Sequence, residues 1–286
     1  MYALRNTPCL TGCDFCNQVF DAHKGLKTFF GFDSYRTYNN QSLQEDAVKA
    51  ALKGKSLLAI FPTGGGKSIT FQVPALMSGE LVKGLTVVIS PLQSLMKDQV
   101  DNLRKYSITD AVTINGLLDP IERSESFERV ENGTASILYI SPESLRSKSI
   151  ERLLLGRKIV RFVIDEAHCF SSWGQDFRVD YLYIGDYIRQ LQLKKGLVQP
   201  IPVSCFTATA KQEVIEDISM GIYFIYATEL CAQIIGVPFG GIDGAVQFLP
   251  SQLSREGEVP RDKVLLIVDI DCTGGSTYQI TVGIVG

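Results

Sequence analysis

The sequence predicts an α/β fold with a doubly wound, mainly parallel sheet, and three observations predict it. Between residues 57 and 220, short apolar runs alternate with helix-patterned segments. One of those runs, in Leu57–Ser68 (LLAIFPTGGGKS), breaks into three glycines followed by Lys67 and Ser68. Another, in Arg161–His168 (RFVIDEAH), ends on the acidic pair Asp165-Glu166. Runs without polar alternation are buried on both faces, and strand–helix alternation implies right-handed crossovers that keep the strands parallel. Ligands of such sheets collect at the carboxyl ends of the strands, where both motifs fall.

In chain order, Leu57–Phe61 leads to a helix over Lys67–Met77, and Thr86–Ser90 to one over Leu92–Lys105. Ala111–Ile114 leads to Pro120–Val130, and Ser136–Ser141 to Glu143–Leu155. Arg161–Asp165 leads to Leu182–Leu193, and Pro202–Phe206 to Lys211–Ile218. A further helix, Gln44–Lys53, precedes the first strand and stops at Gly54.

Glycines after a buried strand let the backbone turn sharply and aim successive N–H groups at a phosphate chain, and the next helix adds its positive end. Thr63, Gly64, Gly65 and Gly66 form that cradle, Lys67 reaches the β/γ-phosphates, and the Ser68 hydroxyl ligates Mg²⁺. The strict pattern asks for Gly where this chain has Phe61. Asp165 supplies a carboxylate for Mg²⁺, and Glu166 orients the attacking water. ATP and Mg²⁺ are therefore the expected cofactors.

The chain has 286 residues, 45% hydrophobic and 21% charged, an ordinary globular composition with room for one large or two modest domains. A net charge of −3 excludes a polybasic coat, so nucleic-acid affinity has to come from a local patch and specific loops. No apolar run approaches the ~18 residues of a membrane span, and no signal-type stretch follows Met1, so no membrane association and a cytoplasmic location are expected, nucleoid-associated in a prokaryote. The seven cysteines are odd in number and mostly scattered, as reduced thiols are.

Three cysteines cluster in an N-terminal extension, residues 1–28. Cys9, Cys13 and Cys16 with His23 have the makings of a tetrahedral Zn²⁺ set. The same C-x3-C-x2-C spacing resembles the iron–sulfur signature of radical S-adenosylmethionine enzymes, although no βα-barrel follows. Unligated thiols are the third reading, and spacing alone leaves the choice open.

Residues 29–56 carry aromatics, an arginine and glutamines ahead of a helix. Adenine offers a π-face and a paired donor and acceptor, which a flat ring and a side-chain amide match. FGF-DSYR followed by TYNNQSLQ resembles the adenine-recognition motif of RecQ-type DNA helicases of superfamily 2, approximately FGYxxFRxxQ, with an apparent insertion. The resemblance places Phe32 (a tyrosine in the family), Arg36 and Gln44 at the base, with Gln41 as the runner-up for the glutamine.

After DEAH comes Cys169–Arg178, CFSSWGQDFR, with the chain's single tryptophan. Phe170, Trp173, Phe177 and Arg178 provide flat faces and a cation, suited to unstacked bases or equally to an aromatic mini-core. The segment resembles the aromatic-rich loop of RecQ helicases, which implies that it senses single-stranded DNA and relays this to ATP hydrolysis. SPLQSLMKDQV (residues 90–100) resembles a DNA-contacting family motif, implying contacts from Ser90, Gln93 and Lys97. Ser141-Pro142-Glu143 resembles the next such motif, and TATA, with Thr207 and Thr209, the one linking DEAH to DNA. In the family, His168 couples nucleotide state to neighbouring segments.

The resemblance implies a RecA-like P-loop domain over residues 29–220. Residues 221–286 form an atypical tail, with Arg255 and Arg261 its only arginines and no Q-x-x-G-R-x-G-R. The second RecA-like domain of such helicases is thus expected to be missing from this chain, and the tail to be loosely packed, a foreign segment or the product of a disrupted frame. KVLLIVDIDCTGGSTYQITVGIVG reads as two strands around Gly274-Gly275. It is a plain hairpin or, with Asp269, a loose likeness of a phosphate-binding hairpin of actin-type ATPases.

The expectation is the ATP-binding half of a RecQ-like, 3′ to 5′ DNA helicase acting on single-stranded or forked DNA. The alternatives are a non-catalytic nucleotide- or DNA-binding module and a superfamily-2 translocase acting on RNA or restriction substrates.

Overall fold

The computed structural model describes residues 21–37, 42–61, 64–170, 179–208, 217–218, 264–273 and 277–285. Helices α1 (Ala22–Phe30) and α2 (Leu43–Leu52) precede β1 (Ser56–Ile60). The alternating core follows as α3 (Lys67–Val82), β2 (Leu85–Ile89), α4 (Gln93–Lys105), β3 (Ala111–Ile114), α5 (Pro120–Glu131), β4 (Ile137–Ile140), α6 (Lys148–Gly156), β5 (Ile159–Ile164), α7 (Val179–Lys194) and β6 (Val203–Thr207). Short 3₁₀ turns cover Pro142–Arg146 and Ala167–Phe170. Two late strands, β7 (Val264–Thr273) and β8 (Thr277–Val285), close the described chain.

The strands form one sheet in the order β3-β4-β2-β5-β6-β1-β7-β8. Every pairing from β3 to β1 is parallel, as uninterrupted apolar strands require. Successive side chains on a strand face opposite ways, so each strand feeds two cores. Leu58 and Ile60 join the layer of α5, α6 and α7, whereas Leu57, Ala59 and Phe61 join that of α1 to α4. The sheet is therefore doubly wound, as expected, and the carboxyl ends of β1, β5 and β6 share one edge.

Three features depart from the sequence reading. The helix expected over Glu143–Leu155 is divided, because Ser147 has extended backbone (φ −79, ψ 125) and begins a new helix. Serines compete for backbone hydrogen bonds and favour such breaks. Helix α1 begins before residue 29 and belongs to the core: Asp21 caps it, accepting from Lys24 N at 3.0 Å, and Ala22, Leu26 and Phe30 are buried on one face. Gly31, at φ 71, ends it in the left-handed region.

The third departure concerns the tail. The two late strands pair as a hairpin, as their pattern implies, but β7 also pairs antiparallel with β1, from Ser56↔Val268 to Ile60↔Val264. An apolar central strand with an open edge would leave a row of backbone groups without partners, and the hairpin covers that row.

At the opposite, amino-terminal edge of the sheet, Arg161 of β5 is 4% exposed. Its guanidinium donates to Lys55 O and Ser204 Oγ, both at 2.9 Å, and to Ala51 O at 2.8 Å. It thereby ties the carboxyl end of α2 to β5 and β6.

Candidate functional site

β1 ends on Ile60, Phe61 continues into the core, and Gly64, Gly65 and Gly66 lead into α3 at Lys67. Gly64 (φ 75) and Gly66 (φ 72) lie in the left-handed region that a side chain resists. The carbonyls of Gly64, Gly65 and Gly66 are held from one side. Arg36 donates to Gly64 O at 3.1 Å, and Gln44 Nε2 donates to Gly65 O at 2.8 Å and Gly66 O at 3.2 Å. In a trans peptide the following N–H points the opposite way, so the N–H groups of Gly65, Gly66 and Lys67 are turned from Arg36 and Gln44. A row of N–H groups at a helix N-terminus is an anion cradle.

Gln44 is 2% exposed, and its Oε1 accepts from Arg36 N at 2.9 Å. The resemblance put Gln44 and Arg36 at the base; the contacts the structure gives them are with each other and with the glycine loop, which they brace. A Cβ on Gly66 would stand 2.6 Å from Gln44 Nε2, so the loop and the amide are fitted to each other. Gln44→Ala is expected to weaken ATP binding about tenfold or more, since three hydrogen bonds worth ~1 kcal/mol each are lost. Titration with a fluorescent ATP analogue measures this.

The acidic pair follows β5, which is separated from β1 only by β6. Lys67 Nζ meets Glu166 Oε1 at 3.2 Å, and His168 Nδ1 meets Glu166 Oε2 at 3.3 Å. The same Nδ1 lies 3.3 Å from Thr207 Oγ1 at the end of β6. Lysine, glutamate, histidine and threonine from the ends of three strands thus form one chain of contacts. Glu166 has φ 48, a left-handed conformation that costs a non-glycine residue roughly 1–2 kcal/mol. Surrounding bonds hold it: Asp165 N donates to Ile89 O at 2.9 Å, Glu166 N to Asp165 Oδ1 at 3.0 Å, and Cys169 N to Glu166 O at 3.0 Å.

Contacts with the Cys169 side chain and the Glu166 carboxylate push His168 up to about 10, so the imidazolium is charged at neutral pH. His168, with Lys67 beside it, outweighs burial and lowers Glu166, which is ionised in turn. Burial raises Asp165, and Lys67 offsets this in part. A buried carboxylate within electrostatic reach of Lys67, and the hydroxyl of Ser68 in the first turn of α3, have the hard oxygen chemistry of a Mg²⁺ site. Asp165 and Ser68 would hold the ion, which when bound supplies positive charge to the phosphate oxygens.

Of the residues expected on DNA, Lys97 is exposed and Gln93 partly so, both on α4. Ser90 is buried at the end of β2, its hydroxyl without a hydrogen-bond partner among the described residues. Phe170 is buried edge-on against Tyr181, ring centroids 5.4 Å apart. Thr63, Trp173, Phe177, Arg178 and Thr209 lie outside the described residues, as do Gln41, Gly274 and Gly275. So do Cys9, Cys13 and Cys16. His23 contacts Glu45 at 3.0 Å and the edge of Tyr35, and no cluster of three metal-ligating side chains occurs among the described residues.

Sequence reasoning missed Tyr181. Fully buried at the start of α7, it donates from its hydroxyl to Asp165 O at 2.9 Å and steadies the peptide that carries the carboxylate. Its neighbour Asp180 accepts from Arg146 Nε at 3.0 Å, tying α7 to the Pro142–Arg146 turn. The only signal in the sequence was proximity to CFSSWGQDFR.

A phosphate loop and an acidic pair at one edge of a parallel sheet define a RecA-like P-loop domain. The chain matches the DEAD/DEAH box helicase family over residues 41–218, more than half its length, and belongs to that family. It is 40% identical over 193 residues to the probable ATP-dependent DNA helicase RecS of Bacillus subtilis, an alignment covering 68% of this chain and 35% of that protein. It is 43% identical over 182 residues to the ATP-dependent DNA helicase hus2/rqh1 of Schizosaccharomyces pombe, covering 61% of this chain and 13% of the relative. With RecQ of B. subtilis the identity is 41% over 194 residues, covering 68% and 30%. The chain thus spans about a third or less of the length of these relatives. Among solved structures, the DUF1998 helicase MrfA shares the fold, with a TM-score of 0.54, 19% identity, and coverage of 70% of this chain and 31% of that one.

Proposed function

We propose that this chain is the ATP-binding half of a RecQ-like DNA helicase, moving 3′ to 5′ and coupling ATP hydrolysis to single-stranded or forked DNA. The observation that carries the reading is the Lys67–Glu166 contact at 3.2 Å, which joins the phosphate loop to the acidic pair across 99 residues of sequence. Glu166, ionised and held by His168, is placed to orient a water and accept its proton. Lys67 is the cation for the transferred phosphate and exchanges its carboxylate partner for phosphate oxygens when ATP enters. Through Thr207, His168 touches the segment that continues toward Thr209, which gives nucleotide state a route to the DNA-contacting face.

RecQ-like relatives of 40–43% identity support the choice of DNA over RNA, as does the CFSSWGQDFR segment. The reading also calls for an arginine finger from a second RecA-like domain, worth ~10³–10⁵ in rate. Residues 1–286 tested without such a domain are expected to bind ATP, hydrolyse it poorly and unwind nothing. Robust DNA-stimulated turnover from this chain alone would defeat the half-motor assignment.

Lys67→Ala separates an enzyme from a passive DNA-binding module. Loss of ATP binding and residual turnover with single-strand affinity unchanged is expected. Turnover unaffected by Lys67→Ala would remove the phosphate loop from the mechanism, and stimulation by RNA in preference to DNA would favour a different translocase.

A further inference from the structure

We propose that Tyr106, at the carboxyl end of α4, is a positioning residue for the nucleotide base and acts through Phe32; this rests on the reading that residues 64–68 hold ATP. Phe30 is 6% exposed, whereas Phe32 and Tyr106 are 41% and 45% exposed, so two large aromatic rings stand together at the surface. Their geometry is mutual. Phe30 and Phe32 are near-parallel (10°) with centroids 6.5 Å apart, and Tyr106 meets both at steep angles, 68° with Phe30 at 5.3 Å and 74° with Phe32 at 6.0 Å.

A phenylalanine on an exposed loop ordinarily samples several rotamers, and each ring contact narrows that choice. Beside it Lys27 of α1 pairs with Asp33 at 2.8 Å, an exposed contact worth little by itself, so the ring contacts are what hold Phe32. The result is a fixed aromatic surface with part of Phe32 open to solvent, which is what a purine needs for stacking.

The location gives that surface its ligand. Phe32 and Arg36 stand on one segment between α1 and α2, four residues apart, and four residues span at most about 14 Å. Arg36 reaches Gly64 O, and its N–H is held by Gln44, which also grips Gly65 and Gly66. The aromatic surface and the phosphate cradle are therefore the two ends of one short strip. A base on Phe32 and phosphates on residues 65–67 would be joined along it. Tyr106 lies outside every phosphate or acidic motif and comes from α4, the helix whose other end carries Gln93 and Lys97.

The test is displacement of a fluorescent ATP analogue from the purified chain by ATP and, separately, by inorganic tripolyphosphate, which has no base. Tyr106→Ala is expected to weaken ATP about 3- to 10-fold, the worth of an aromatic pair, and to leave tripolyphosphate unchanged. Tyr106→Phe, which keeps the ring, is expected to bind both as the unaltered chain does. Phe32→Ala should show the same selective loss or a larger one. Equal weakening of both ligands with a lowered Tm would make Tyr106 merely structural and overturn the proposal. So would an unchanged ATP affinity in Tyr106→Ala while Phe32→Ala loses it. Unchanged ATP affinity in both Phe32→Ala and Lys67→Ala would overturn the underlying ATP reading as well.

Discussion

Exchange of Glu166 for glutamine is expected to lower ATP turnover about 100-fold or more while ATP binds as well as before or more tightly. A positioned general base contributes 10²–10⁴ in rate, and an amide in its place cannot accept the proton of the attacking water. The affinity change has a separate cause. Glu166 is ionised and pairs with Lys67 at 3.2 Å, so in the free protein it competes with phosphate for that lysine and repels the incoming anion. Glutamine keeps the shape and removes the charge. Single-turnover hydrolysis of bound ATP measures the first effect, and equilibrium titration the second. A Glu166→Gln protein that turned over ATP within a few-fold of the parent would assign the base elsewhere. One that lost ATP binding would mean that Glu166 holds the loop together.

Arg161→Leu is expected to cost about 3–5 kcal/mol of folding stability, with Tm lowered by roughly 10 °C. The guanidinium is buried and donates to Ala51 O, Lys55 O and Ser204 Oγ. Ala51 O sits at the negative end of α2, where a cation is favourable, and Lys55 O lies in the turn before β1. Leucine would fill much of the volume and leave buried acceptors without a donor, which costs more than the bonds themselves contribute. Ser204→Ala removes only one of these contacts and is expected to cost about 1 kcal/mol. Denaturant unfolding followed by circular dichroism provides the measurement. Arg161 lies at the edge opposite the phosphate loop, so ATP affinity well below Tm should be unchanged, which separates its structural part from the part Gln44 plays.

The site was legible in the sequence to the extent that its chemistry is local. Three glycines and a lysine after a buried strand, and an acidic pair after another, declare their purpose through spacing along a few residues. Helix α1 was less legible because it is short and its buried positions, Ala22, Leu26 and Phe30, include only one large ring. Tyr181 gave no signal beyond its nearness to CFSSWGQDFR, and Tyr106 gave none, since an aromatic residue near a helix end reads as ordinary core until its neighbours are known.

By itself the sequence determined the alternation of buried strands and helices, the order in which they arise and the strand ends that carry phosphate and acid chemistry. Hydrophobic periodicity reports which residues leave water, and turn residues report where the chain bends. Tertiary structure alone decided which distant groups meet. It inserted β6 between β5 and β1, so that His168 reaches Thr207 and Lys67 reaches Glu166. It turned the glycine carbonyls toward Arg36 and Gln44, and it covered the open edge of β1 with the late hairpin. Burial is a property of one residue and its near neighbours, whereas hydrogen-bond partners and strand order belong to the packed whole, and no local pattern encodes them.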